Sequence, residues 1–237
     1  MNGPGASRRG LHGRVVNELG LRIVSGAWES GTHLPNEDDL AAELGVSRTV
    51  VREAVKALQA KGLVEVRPKT GTRVRPRRAW HLLDADIVAW QFTDMERSDD
   101  LRELYEVRAS IAAAAARLAA VRRTDEQLAL IEAHQRRIAA AAAEPLARRT
   151  AELDFHAAVV DAAHNSLLSH VSAMVRVGLE AAAVPNTNPS DEEPGALRAA
   201  VVEAIRTGDA EAAEKGMRML VDRAWEAIAI DHREEFG

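Results

Sequence analysis

The sequence predicts a mainly α-helical chain in two parts: a small N-terminal module closed by a β-hairpin, then a larger antiparallel α-helical bundle. Three observations predict it. Apolar residues recur at helical spacing along most of the 237 residues. One stretch, Leu63 to Pro76, instead alternates apolar with polar residues around a Pro/Gly turn. Charge divides at the same place. Residues 1–80 carry 14 Lys and Arg against 8 Asp and Glu, a net of +6, while residues 81–237 carry 17 against 28, a net of −11. A basic front half joined to an acidic back half points to a polyanionic partner for the front alone.

The helices of the first part can be read one by one. Val15, Val16, Leu19, Ile23 and Val24 form the apolar stripe of a helix over His12–Ser25, which Gly26 stops. Asn36 is placed to cap a short second helix whose first turn is acidic (Glu37, Asp38, Asp39) and whose inner face is Leu40, Ala41 and Leu44. Gly45 ends it. Ser47 caps a third helix running to about Lys61, with Val50 or Val51, Ala54, Val55 and Leu58 inward, and Gly62 ends that one. LVEVRP and GTRVRP then make a hairpin about Pro68-Lys69-Thr70-Gly71. Helix, helix, tight turn, helix, hairpin is the order of a winged helix-turn-helix.

Arg48 and Arg52 lie one turn apart at the start of the third helix, where the helix dipole disfavours positive charge. The module explains them. Its third helix enters the major groove by its N-terminal end, and arginine can donate two bonds to guanine O6 and N7. Ser47 and Thr49 supply hydroxyls for phosphate or base edges, and Lys69 and Arg73 sit on the wing, where they could grip the DNA backbone or minor groove. The plainer alternative is a pair of solvated surface cations on a protein-docking winged helix. The turn glycine, the hairpin and the basic bias together favour nucleic acid.

The run LPNEDDLAAELGVSRTVVREAVKALQAKGLVEVRPKTGTRV resembles the DNA-binding domain of the GntR superfamily of bacterial transcription regulators. The resemblance rests on Leu34-Pro35-x-Glu37, on the Gly45-Val46-Ser47-Arg48 helix start with Val51-Arg52-Glu53-Ala54, on Gly62-Leu63, and on the glycine-containing wing. It implies DNA contacts from Ser47, Arg48, Thr49, Arg52, Lys69, Thr70 and Gly71. One position departs: Asp38 stands where the family commonly has an arginine that touches DNA, which implies a different operator or a lower affinity.

Beyond this module the organisation is expected to be a flexible tail over 1–10, the winged domain over 11–76, a linker over 77–83, and an all-helical effector-binding and dimerisation domain over 84–237. Asp84 is positioned to cap a helix bearing Ile87, Val88 and Trp90. Roughly six or seven antiparallel helices follow, broken at Glu144-Pro145, near His164-Asn165, at VPNTNPS and at Thr207-Gly208-Asp209. With aromatics at 3 %, the cores must be built from Leu, Val, Ile and Ala. No cysteine is present, which excludes a disulfide framework or thiolate metal site and fits a reducing cytoplasm. No apolar run approaches the roughly eighteen residues of a membrane span. The start, MNGPGASRRG, does not lead into the apolar core of a signal peptide.

Glu152 and His156, at i and i+4 on one predicted helix, have metal-ligand spacing, but two ligands are too few, and a packing role is the commoner outcome. The bundle is similar to the FCD effector domain of the FadR subfamily through LYEVRASIAAAAARLAA, FHAAVVDAAHNSLLSHV and AVVEAIRTGDAEAA. Many members bind a divalent metal through one Asp and three His. Laid on this chain, those positions are Glu152, His156, Arg198 and Leu220, so the resemblance implies no required cofactor and no tight metal. It implies instead a cavity where Arg108, Arg198 and His156, with Glu152, receive a small carboxylate. Arg198 read plainly is a solvated cation beside Asp191-Glu192-Glu193. WHLLDADIVAW resembles members that respond to sugar acids such as galactonate or gluconate.

The expectation is therefore a homodimeric DNA-binding regulator of the repressor type, bound to a double-stranded operator and controlled by a small organic acid. It has no membrane association and is not an enzyme. A metal-dependent enzyme built on Glu152 and His156 is the alternative from another class. The chain shows no nucleophile–base–orienter set and no phosphate-cradling glycine loop to support it.

Overall fold

The structure is a computed structural model that describes residues 4–68, 70–93, 98–141, 144–182 and 192–236. The chain divides into two compact units, Met1–Met95 and Glu96–Gly237.

In the first unit, helix α1 (Pro4–Val24) leads to α2 (Glu37–Leu44) and α3 (Arg48–Ala60), then strands β1 (Val64–Arg67) and β2 (Gly71–Val74), a 3-10 turn (Arg77–Ala79) and helix α4 (Ala85–Thr93). The expected caps are present. Asn36 Oδ1 accepts from the backbone N–H of Asp38 and Asp39, each at 2.9 Å, and Ser47 Oγ accepts from Val50 N–H at 3.4 Å. Gly45 closes α2 with φ +64°, a left-handed turn that a Cβ would strain. The strands pair antiparallel from Val64↔Val74 to Arg67↔Gly71. The segment before α2 extends this hairpin: Leu34 N–H donates to Thr72 C=O, and Val74 N–H to Thr32 C=O, both at 2.9 Å. The wing therefore has a third, short edge.

Leu19, Ile23, Leu40, Val51, Leu58, Leu63 and Val74 are buried together in one core. Ile87 and Trp90 of α4 belong to that same core. This moves a boundary. Residues from 84 onward were expected to open the helical bundle, but α4 packs on α1 inside the first unit. Its apolar face is the reason, since Ile87, Val88, Trp90 and Phe92 are all buried. The segment between is likewise no free linker: Gly62, at φ +78°, lies where a Cβ would come within 2.4 Å of the Ala79 carbonyl. Of the expected tail over 1–10, residues 1–3 lie outside the described residues and the rest is helical from Pro4, a residue pre-organised for a first helical position.

The second unit is all-helical among the described residues: α5 (Ser98–Arg122), α6 (Asp125–Ala140), α7 (Pro145–Ala162), α8 (Ser166–Ala182), α9 (Glu192–Thr207) and α10 (Ala210–Phe236). α5 is central, packing on α7, α8, α9 and α10. It does so through a row of buried alanines, Ala112, Ala113, Ala115, Ala116 and Ala119, which lets neighbouring backbones come close. Thr124 and Gln127 cap α6 reciprocally, a capping box, and Asp209 Oδ1 caps α10 through Ala212 N–H at 3.0 Å. α7 and α8 divide at His164, whose φ is +50°. No helix among the described residues is long and apolar enough to cross a membrane.

Candidate nucleic-acid interface and ligand cavity

Arg48 and Arg52 are both exposed, and each is paired with a carboxylate from the first turn of α2. Arg48 Nε lies 2.8 Å from Asp38 Oδ1. Arg52 grips Glu37 side-on, through Nε and Nη2, each 3.2 Å from Oε2. These acids answer the helix-dipole problem: α2 supplies the negative charge that the start of α3 would otherwise want from its own residues. Sequence reading placed Glu37 and Asp38 at their own helix terminus, and Asp38 at a position that alters DNA contact, but linked neither to Arg48 or Arg52, because nothing in linear spacing shows that the starts of α2 and α3 meet.

Ser47 and Thr49 are exposed at the same helix start, with the Ser47 oxygen committed to its cap. Thr70 and Gly71 are exposed at the wing turn, while Lys69 lies outside the described residues. Arg73 does not extend from the wing. Its Nε donates to the Gly31 carbonyl at 2.7 Å and braces the third edge of the sheet.

In the second unit, α5, α7, α8, α9 and α10 enclose a cavity of about 110 Å³ lined by Tyr105, Arg108, Arg148, Arg149, Glu152, His156, Arg198, Leu220 and Arg223, with apolar neighbours. All four expected ligand residues, Arg108, Glu152, His156 and Arg198, meet there. Arg148 and Arg198 are each only 5 % exposed, and both reach one carboxylate: Arg148 Nε is 3.3 Å and Arg198 Nη2 3.6 Å from Glu152 Oε1. Arg198 is thus not the solvated surface cation of the plainer reading. Arg149 donates to the Leu179 and Glu180 carbonyls near the end of α8, and Arg223 pairs with Glu193 and Glu226. Arg108 lies over the Tyr105 ring, 5.5 Å from its centroid, and Tyr105 packs on Trp225. Burial raises the Tyr105 phenol above its ordinary value, opposed in part by the Arg108 cation.

His156 sits where this cavity adjoins a second one of about 160 Å³; Arg108, Leu153 and Leu179 also line both. Its Nδ1 is buried and has no hydrogen-bond partner among the described residues. Burial, then the Arg108 and Arg198 cations, hold the imidazole well below its usual 6.5, so the ring is neutral at pH 7. The neutral ring of His156 thus lines a cavity otherwise rich in guanidinium groups, while its Nδ1 points into the protein.

The donor set does not fit a divalent cation. Glu152 already faces two guanidiniums, Leu220 brings no ligand atom, and no three His, Cys, Asp or Glu side chains cluster among the described residues. Sequence reading missed Arg148, Arg149 and Arg223, which come from two different helices. For Arg148, Glu152 four residues on was the available signal, an i,i+4 pair on the helix that also carries His156.

Two family models match the chain: bacterial regulatory proteins, gntR family, over residues 11–74, and the FCD domain over residues 103–223. The galactonate operon transcriptional repressor of Escherichia coli (strain K12) is 33 % identical over 212 residues, covering 88 % of this chain and 92 % of that protein. The HTH-type transcriptional regulator YieP of the same strain is 32 % identical over 218 residues, 91 % of this chain and 94 % of that one. Among solved structures, Lar, which controls expression of the Listeria monocytogenes agr system, aligns over 92 % of this chain and 96 % of its own with TM-score 0.60 at 20 % identity, a likeness of fold.

Proposed function

The chain belongs to the gntR family of bacterial regulatory proteins, as a DNA-binding transcription regulator with an FCD domain, and from that premise we propose that it is a repressor released by a small organic acid, most simply a sugar acid. The observation that carries this is the α5–α10 cavity. Five arginines line it against one glutamate, and two of those arginines are almost wholly buried. A carboxylate entering there meets charge-assisted donors, two of them on guanidiniums withdrawn from solvent. The hydroxyls of a sugar acid meet the neutral ring of His156, which lines the same cavity. The galactonate operon repressor among its relatives points to the same chemistry.

The guanidiniums take the place of a metal, so binding needs no cofactor. In the first unit Arg48 and Arg52 read base edges, with Ser47, Thr49 and the wing turn at Lys69, Thr70 and Gly71 on the backbone. Two copies of the chain engage a two-fold operator in the cytoplasm, and the chain does no catalysis. Switching requires that the acid bind the DNA-competent and DNA-incompetent arrangements with different affinity.

Thermal unfolding with galactonate, gluconate and the corresponding neutral sugars tests the ligand class. The acids raise Tm in proportion to the logarithm of their concentration and the neutral sugars leave it unmoved. Equal shifts from acid and neutral sugar, or none from any carboxylate tried, including dicarboxylates, overturn the assignment.

A further inference from the structure

Asp38 stands at a position where an arginine was expected, and taken alone it is a loss: one cation fewer and one anion more on a surface that meets DNA. The geometry gives it another task. We infer that Asp38 is a specificity-determining positioning residue, which fixes the Arg48 guanidinium so that its outer edge is presented to a base. The inference rests on the assignment of α3 as the DNA-reading helix.

Contact between the two is through Nε, at 2.8 Å, the inner side of the guanidinium. The Nη groups of Arg48 make no hydrogen bond among the described residues. They form the fork that matches guanine O6 and N7. Arg52 is arranged in the same sense: Glu37 occupies its Nε–Nη2 side, leaving Nη1 free of the pair. Both carboxylates come from a backbone that is itself fixed, since Asn36 Oδ1 accepts from the Asp38 and Asp39 amides and Asn36 Nδ2 donates to Asp39 Oδ2 at 2.7 Å. Arg48 in turn begins at a capped helix start.

Such a pair adds little to folding. Asp38 and Arg48 side chains are 63 % and 59 % exposed, and ion pairs that open to water are weak, enough to bias one side-chain orientation but not to decide folding. Its consequence lies in binding. An arginine already held loses less rotamer freedom when it docks. The carboxylate also repels phosphate, so a duplex that does not engage the Arg48 fork gains only the penalty. Asp38 thereby widens the gap between correct and incorrect sequence by weakening the incorrect complex.

The test uses the full chain and a duplex that the wild-type protein enriches from a randomised pool, with a shuffled duplex of the same composition beside it. Kd is measured for both, and their ratio is the readout. Asp38→Asn lowers the ratio about tenfold, chiefly by tightening the shuffled complex, while Asp38→Glu restores most of it. In an Arg48→Ala background, Asp38→Asn changes the ratio no further, because the effect passes through Arg48. A wild-type ratio in Asp38→Asn overturns the proposal, as does an undiminished fall when Arg48 is already alanine. Should the wild-type chain enrich no duplex, the assignment of α3 to DNA fails first and takes this inference with it.

Discussion

Trp90 on α4 donates its indole N–H to Asn17 Oδ1 on α1 at 2.7 Å, joining residues 73 positions apart. Its ring also lies over Gly20, where an added Cβ would fall 2.5 Å from Cη2. Two effects compete in Gly20→Ala. Helix propensity favours alanine by about 1 kcal/mol, and overpacking costs ~1–3 kcal/mol. A contact that short against a rigid, hydrogen-bonded ring makes the clash the larger. Gly20→Ala lowers the urea midpoint of the first unit, and adding Trp90→Leu reverses the sign of the alanine effect. A stabilised single variant would show that the helices separate freely.

At the other end of α4, Lys61 Nζ lies 2.8 Å from Asp84 Oδ1 and 2.7 Å from Asp86 Oδ2. Burial pushes the Asp84 carboxyl up, but its hydrogen bonds and charge contact with Lys61 outweigh this and hold it below the usual 3.8. For Lys61, burial is likewise outweighed by the two carboxylates, and the ammonium is raised above 10.5. A depressed carboxylate stabilises above its unfolded value and loses that contribution as pH falls through the folded one. A raised ammonium stabilises below its unfolded value and loses that as pH rises through the folded one. The pair therefore contributes steadily between about pH 4 and 10, by ~1 kcal/mol after solvent screening. Asp84→Asn keeps the cap on Asp86 and Ile87 and removes the charge. It is less stable than wild type at pH 7, and the difference shrinks below pH 4 in acid titrations followed by circular dichroism.

Replacing Arg52 by alanine costs ~1–3 kcal/mol of affinity for the selected duplex and blurs preference at one base position. The same loss leaves Glu37 without its partner, so binding to shuffled duplex also weakens. Titrations at several salt concentrations separate the contributions: wild-type affinity falls steeply with salt, and removal of a base-reading arginine leaves that slope nearly intact. A slope reduced by about one would instead assign Arg52 to a phosphate.

Glu152→Gln has opposite effects on the empty and the loaded chain. Arg148 and Arg198 lose the carboxylate they share, so Tm without ligand falls. The cavity becomes more positive, so an acid binds several-fold more tightly and the Tm increment it produces grows. Arg198→Ala shrinks that increment. Calorimetric titration with galactonate or gluconate checks both; weaker acid binding by Glu152→Gln would mean that Glu152 itself holds the ligand.

What the sequence made legible was local. Asn36, Ser47 and Asp209 declare themselves as caps because a cap bonds only two or three residues ahead, and the apolar stripe of α3 repeats within a single helix. What it hid depends on elements meeting. Asp38 and Glu37 reach Arg48 and Arg52 only once α2 and α3 cross, and α4 reads like any helix of the bundle until Trp90 meets Gly20. Arg148, Arg149, Arg198 and Arg223 are scattered among α7, α9 and α10. Periodicity shows that these helices exist but not how far each is rotated about its axis, and the rotation is what turns four separate cations into one cavity wall.

The alanine row along α5 has a mechanical consequence. A methyl group has no torsion to yield, so a helix seated on such a surface cannot absorb a push by rearranging side chains as it could against leucine or methionine. α5 also carries Tyr105 and Arg108 at the cavity wall. A molecule that displaces them pushes on a helix whose alanine face leaves little side-chain slack, so the push falls on the helix itself rather than on rotamers around it.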